Sequence, residues 1–205
     1  MKFKFFLLIL FVSTQSFTQI LIDVKTSLTE KKELHIIKVA VIRSLDTSKS
    51  YRTTEFGEKY SLWLTNLRRT NIRDSIKTDL TIELCGPSFI TKGKLLRSKQ
   101  ISVIYPASIS DSSKADPDSE ITNIFASLLQ GSNVSDKLIT QLTNDMLSNN
   151  FVDIAKIIIR FIILEITKAF HYQPSSREAI EASLLAANVL VETNDLVQSI
   201  SINSH

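Results

Sequence analysis

Apolar residues follow two different periods along this chain, one in each half. From Ile20 to Tyr105 they alternate with polar residues or form short β-branched runs. Leu80, Ile82 and Leu84 alternate with Thr81, Glu83 and Cys85, the period-two signature of a half-buried strand. Ile101, Val103 and Tyr105 repeat it, as do Tyr60, Leu62 and Leu64, and Ile20, Ile22 and Val24. Leu34 to Ile42 is nearly continuous and rich in Ile and Val, which predicts a central strand buried on both faces. A helix competes there, because Ser27 and Glu30 stand at capping-box spacing. Glu30 to Glu33 and Lys92-Gly93-Lys94 are expected turns, and Gly86-Pro87-Ser88 stops the Leu80 strand.

Past Asp116 the period becomes helical. Ile121, Ile124, Phe125, Leu128 and Leu129 fall at i, i+3, i+4, i+7 and i+8, with Asp116 as the expected N-cap, Pro117 at the first helical position and Gly131 as the stop. Val134, Leu138, Leu142 and Met146 predict a second helix. Phe151 to Phe170 predicts a third, the expected buried centre of a bundle, broken by Tyr172-Gln173-Pro174. Ser175 and Glu178 form a capping box for a fourth. The fold class is therefore α+β. An N-terminal antiparallel β sheet or small sandwich spans residues 19–105, and a serine-rich linker spans 106–117. About four bundled helices follow over 118–198, then a frayed tail at 199–205.

The first residues read differently from both halves. Lys2 and Lys4 precede an apolar run, Phe5 to Val12, and then small residues at Ser16 and Thr18. This order of charge, apolar run and small residues is that of a secretory signal peptide, expected at 1–18 with cleavage after Thr18. The run is too short to span a bilayer of about 30 Å as a helix. The 187 residues beyond it suffice for a sizeable core. Phe151–Phe170 is the most apolar stretch of that remainder, yet it carries Asp153, Lys156, Arg160, Glu165 and Lys168, so no transmembrane helix is expected in the mature chain. A single cysteine, Cys85, excludes an internal disulfide.

Charge divides with the pattern. Residues 20–109 carry 16 Lys+Arg against 9 Asp+Glu, whereas 110–205 carry 6 against 12. Arg68, Arg69, Arg73 and Lys77, with Lys92, Lys94, Arg97 and Lys99, are the candidate contacts for an anionic surface or partner, gathered on one edge or face if their strands pair. The same asymmetry also fits an acidic helical half docking on the basic sheet, within one chain or between two. Tyr51, Phe56, Tyr60 and Trp63 are a candidate aromatic platform for a sugar or peptide.

Chemistry-bearing motifs are few. His35, His171 and His205 are scattered and Cys85 has no partner at ligand spacing, so neither metal nor cofactor is expected. Four glycines leave no phosphate-cradling loop, and no G-x-S-x-G is present. The expected role is an exported, non-catalytic cell-envelope or secreted interaction or assembly protein, periplasmic or extracellular. Its partner would be a protein or an anionic envelope component rather than nucleic acid, and a homo-oligomer is compatible. The alternative is a small secreted hydrolase whose site joins residues far apart in sequence.

The export reading has a direct check. Intact mass of the protein released from a secreting bacterial host should match a chain beginning at Gln19. Recovery of the uncleaved chain only in the cytoplasm would refute it.

Overall fold

The computed structural model describes residues 19–27, 31–55, 60–87, 92–142 and 150–202. The expected signal peptide lies outside them. Among the described residues five strands, β1 (Ile20–Lys25), β2 (Tyr51–Thr53), β3 (Tyr60–Ile72), β4 (Ser75–Cys85) and β5 (Leu95–Pro106), form one mixed sheet in the order β2-β1-β3-β4-β5. The helices are α1 (Lys32–Asp46), α2 (Glu120–Gln130), α3 (Ser135–Gln141), α4 (Phe151–Phe170) and α5 (Ser176–Ile202). A sheet followed by four helices matches the α+β expectation.

The largest departure is α1. The segment expected as a central strand is a helix, and Lys31, Lys32 and Glu33 of the expected hairpin turn form its N-cap and first turn, Glu30 lying outside the described residues. Leu34, Ile37, Val41 and Leu45 recur at three- and four-residue spacing, which puts them on one face, and all are buried. The β-branched preference is a fraction of a kcal/mol per residue, and burial of that face outweighs it. Because a helix intervenes, β1 and β2 pair in parallel, and β1 is also parallel to β3. Only β3, β4 and β5 form the expected antiparallel meander. The cap is Lys31 rather than Ser27.

α1 and α5 lie on one face of the sheet, and α4 packs outside them against α1, α2 and α5. The sheet buries Leu62, Leu64, Leu80, Ile82, Leu84 and Ile101 toward the helices. The opposite face carries Thr81, Glu83, Ser98, Gln100 and Ser102, half-buried or exposed. α5, not α4, is the buried centre. Nine consecutive residues, Ala179 to Ala187, are buried, as expected of a helix enclosed on every side. Ala179, Ala182, Ser183, Ala186 and Ala187 keep it slim enough for neighbours to close around it. α4 instead leaves Val152 and Leu164 exposed.

Local signals account for the ends of these helices. Ser175 and Glu178 form the reciprocal capping box. The Glu178 N–H donates to Ser175 Oγ at 3.2 Å and the Ser175 N–H to Glu178 Oε2 at 2.8 Å. Asn150 caps α4 by accepting from the Val152 N–H at 3.0 Å. α2 begins later than expected. Asp116 accepts from the Asp118 N–H in a local turn, and Ser119 occupies the N-cap position. The expected frayed tail is helical to Ile202, and Met146 of the expected second helix lies outside the described residues.

The serine-rich stretch is tied to the start of α5. The Ser176 N–H donates to the Ser113 carbonyl, the Arg177 N–H to that of Ser110, and the Ala115 N–H to that of Pro174. The Arg177 guanidinium adds bonds to the Ile109 carbonyl and to Asp111.

One irregularity in β3 sets the position of α5. The register slips between Thr65 and Arg68, so Asn66 and Leu67 together oppose Leu80. Asn66 sits at φ 54, the left-handed conformation that a bulge residue needs and that asparagine tolerates. Side chains beyond the bulge change sides. Leu62 and Leu64 face the helices before it, and Arg69 does so after it, opposite Thr78. Arg69 meets Glu181 of α5, which is 3 % exposed. Its Nε donates to Oε1 at 2.7 Å and its Nη2 to Oε2 at 2.5 Å. Thr78 Oγ1 donates to Oε1 at 2.7 Å and the Tyr105 hydroxyl to the same oxygen at 3.0 Å. This bidentate pair raises the Arg69 pKa further above its ordinary value. Burial, and then the Glu181 charge, push the Tyr105 hydroxyl up to about 12.

Two consequences are measurable. Arg69→Met leaves the buried carboxylate without its counter-charge and should cost about 3 kcal/mol in urea unfolding. Adding Glu181→Met should restore part of that loss, and additive losses would disprove the coupling. At high pH, unfolded tyrosine ionises near 10 while folded Tyr105 keeps its proton to about 12. The folded state then holds more protons than the unfolded chain. Stability is fully present below pH 10 and should fall as pH rises toward 12, by up to about 1.4 kcal/mol per unit for this group. Tyr172, pushed up to about 12 by burial and then by Glu178, adds a similar dependence. Tyr105→Phe should flatten the curve in part, and an unchanged slope would exclude Tyr105 as a source.

Candidate functional site

The bulged strand β3, the β3–β4 hairpin, β4, the β4 to β5 connection and the edge strand β5 carry the eight cations singled out in the sequence. The structure distributes them over both faces and both ends of the sheet. Arg68 and Lys77 lie on the face away from the helices, on the side of Asp79. Arg73 is at the β3–β4 hairpin tip, at φ 51. Arg69, Arg97 and Lys99 are on the helix side, and Lys92 and Lys94 precede β5.

Four of the eight are ion-paired within the chain. Arg69 is held by Glu181, with Glu33 at 3.7 Å. Lys77 pairs with Asp79 at 2.9 Å, Lys92 with Glu83 and Lys99 with Glu192 of α5. Asp79 is kept below the usual carboxylate range first by the Ser102 hydroxyl and then by Lys77. Two of the four pairs, Arg69–Glu181 and Lys99–Glu192, join the basic sheet to the acidic helical half. The charge asymmetry therefore serves in part as an internal dock. Arg68, Arg73, Lys94 and Arg97 remain exposed, with no carboxylate partner among the described residues. The Arg97 guanidinium donates to the Leu96 carbonyl beside it.

Two shallow hollows flank the bulge. One of about 410 Å³ is lined by Lys31, Glu33, Leu67, Arg68 and Arg69. The other, about 380 Å³, is lined by Asn66, Leu67, Arg68, Asp79, Thr81 and Gln100. A larger crevice of about 620 Å³ opens where β1 and β2 end, between Lys25, Lys38, Thr53, Thr54 and Glu55. No sequence signal marked it, because its polar residues come from three separate elements.

The three described aromatic candidates do not form one surface. Tyr51 is 1 % exposed and its hydroxyl donates to Asn194 Oδ1 at 3.3 Å. Tyr60 is also a core residue. Trp63 is half-buried on the other side of β3, with Lys92 Nζ 6.0 Å from its ring. Phe56 lies outside the described residues.

Cys85, His35 and His171 belong to three different elements. Cys85 is buried, its sulfur 4.0 Å from the Glu83 carbonyl oxygen, and burial pushes its thiol up, which disfavours the nucleophilic thiolate. His35 Nδ1 is 3.1 Å from Thr26 Oγ1. His171 ends α4 in the left-handed conformation, its N–H donating to the Thr167 carbonyl. Among the described residues no group of His, Cys, Asp and Glu is placed to hold a metal ion. No helix among them is long and apolar enough to cross a membrane.

No protein-family model matches the chain, and no curated protein is similar to it in sequence. Among solved structures, a candidate lipoprotein from Caulobacter crescentus aligns over 75 % of this chain and 93 % of its own, at 11 % identity and a TM-score of 0.27. A likeness at that level carries no inference about function.

Proposed function

We propose that this protein is an exported, non-catalytic interaction protein that holds an acidic partner against the cations that have no carboxylate partner among the described residues. The observation behind this reading is the division of the eight basic residues. Four are neutralised by carboxylates of the same chain, while Arg68, Arg73, Lys94 and Arg97 point to solvent. Internal pairing would have been available to them, since the second half is acidic, but the helices lie on the other face of the sheet or stop short of these positions. An exposed cation of the sheet and its turns, with no carboxylate partner among the described residues, attracts an anionic partner and speeds its association.

The test compares position with net charge. Purified protein is applied to immobilised polyglutamate at about 0.05 M salt and eluted with a gradient to about 0.5 M, where surface charge is largely screened. The wild type should be retained and elute within the gradient. Reversal of Arg68, Arg73, Lys94 and Arg97 to Glu should abolish retention. Reversal of Lys38, Lys49, Arg52 and Lys114, which changes net charge equally, should leave much of it. Equal loss from both sets would mean that net charge alone is read, and the proposal would fall.

A further inference from the structure

The two ends of the sheet are built differently. β2 closes one end with three residues, which leaves little edge to pair with. β5 closes the other with twelve residues, and its proline, Pro106, stands only at the last position. Among the described residues no backbone group bonds to its outer side. Its burial pattern also marks it as uncovered. A strand lying on a core alternates, yet Arg97, Ser98, Lys99 and Gln100 are all exposed, so over this stretch neither face is covered.

The direction of each backbone group follows from one bond. The Ala107 N–H donates to the Asp74 carbonyl, on the β4 side. In an antiparallel ladder successive residues point their N–H and C=O groups to opposite sides. Tyr105, Val103, Ile101, Lys99 and Arg97 therefore bond to β4, in register with Ile76, Thr78, Leu80, Ile82 and Leu84. Ser98, Gln100, Ser102 and Ile104 direct theirs outward. Four successive donor–acceptor pairs stand ready for another strand.

The charge around this edge selects what would pair with it. Lys94 and Arg97 have no carboxylate partner among the described residues, whereas Lys92 and Lys99 are balanced by Glu83 and Glu192. A second copy of β5 would bring the same two cations to the interface again. A segment carrying carboxylates at alternate positions would meet them with opposite charge.

We infer that the outer edge of β5 binds an extended acidic polypeptide segment as a sixth strand, with main-chain bonds to Ser98, Gln100 and Ser102 and carboxylates against Arg97 and Lys94. This deepens the reading of an acidic partner and rests on it. Strand addition of this kind takes affinity from the main chain and specificity from alternate side chains.

The experiment uses the purified, isotope-labelled protein and a capped peptide of about eight residues alternating Glu with Thr or Val, which spans ~27 Å of strand. A peptide with Lys in place of Glu is the control. The amide protons of Ser98, Gln100 and Ser102 should exchange at least about tenfold more slowly with the Glu peptide, and unchanged with the Lys peptide. Arg97→Glu should weaken binding about tenfold. Gln100→Pro removes an outward N–H that the β4 ladder does not use, and should abolish binding with the fold retained. If that variant does not fold, the exchange measurement on the wild type decides.

Binding of the Glu peptide without protection at these amides would overturn the edge inference and leave the acidic-partner reading standing. Failure of both this peptide and polyglutamate to bind would remove both. Protection that appears without peptide and grows with protein concentration would assign the edge to a second copy instead, and would overturn the inference as stated.

Discussion

A carboxylate enclosed between a sheet and a helix is the constraint on which the rest of this architecture depends. Glu181 is buried, and an ionised group there is tolerated only if charge and hydrogen bonds replace the lost water. Four donated bonds do so, from Arg69 twice, Thr78 and Tyr105. Those residues come from β3, β4 and β5, so one side chain of α5 reads the register of three strands at once. A shift of α5 by one residue would bury the carboxylate without partners. Apolar contacts alone, being non-directional, would resist such a shift less.

The bulge at Asn66 makes this possible, and its effect reaches beyond the ion pair. Without it, strict alternation would put Arg68 on the helix side and Arg69 on the open face. With it, Arg69 turns to the helix side, where it meets Glu181, and Arg68 turns to the open face, a candidate contact beside Asp79. Neighbouring residues of the same type thus acquire opposite roles from one left-handed backbone position. The same logic divides the other cations. Lys99 meets Glu192 because its strand position faces α5, while Arg97, two residues earlier on the same side, has no carboxylate within reach among the described residues.

Features governed by short-range chemistry were legible in the sequence. The Ser175–Glu178 box, the bounds of α4 and the alternation through Leu80–Leu84 are set by residues a few positions apart, and they stand where the pattern placed them. Features governed by what packs on a segment were not. The Ile and Val of Leu34–Ile42 suit a strand by preference, yet burial of one face of α1 decided otherwise. α4 drew the expectation of a buried centre because its side chains are large. α5 holds that place because its alanines are small, and hydrophobicity along a chain does not register slimness. Of the candidate site, the cations were visible as residues. Their partners were not, since Glu181 lies more than a hundred positions from Arg69 and no local period links them.

Edge control completes the argument, because it separates what the fold needs from what it leaves available. The helices require the meander to be long, since α5 contacts both β4 and β5. A long meander necessarily ends in a long edge. Natural sheets blunt such an edge with shortness, proline, bulges or charge. β2 uses shortness. β5 has a register irregularity only at its start and a proline only at its end, so charge is the remaining device along its middle. Charge repels a second basic edge, and an apolar strand would have to desolvate it at a cost, but it attracts an acidic strand. A device that prevents self-association here also defines the partner it would admit.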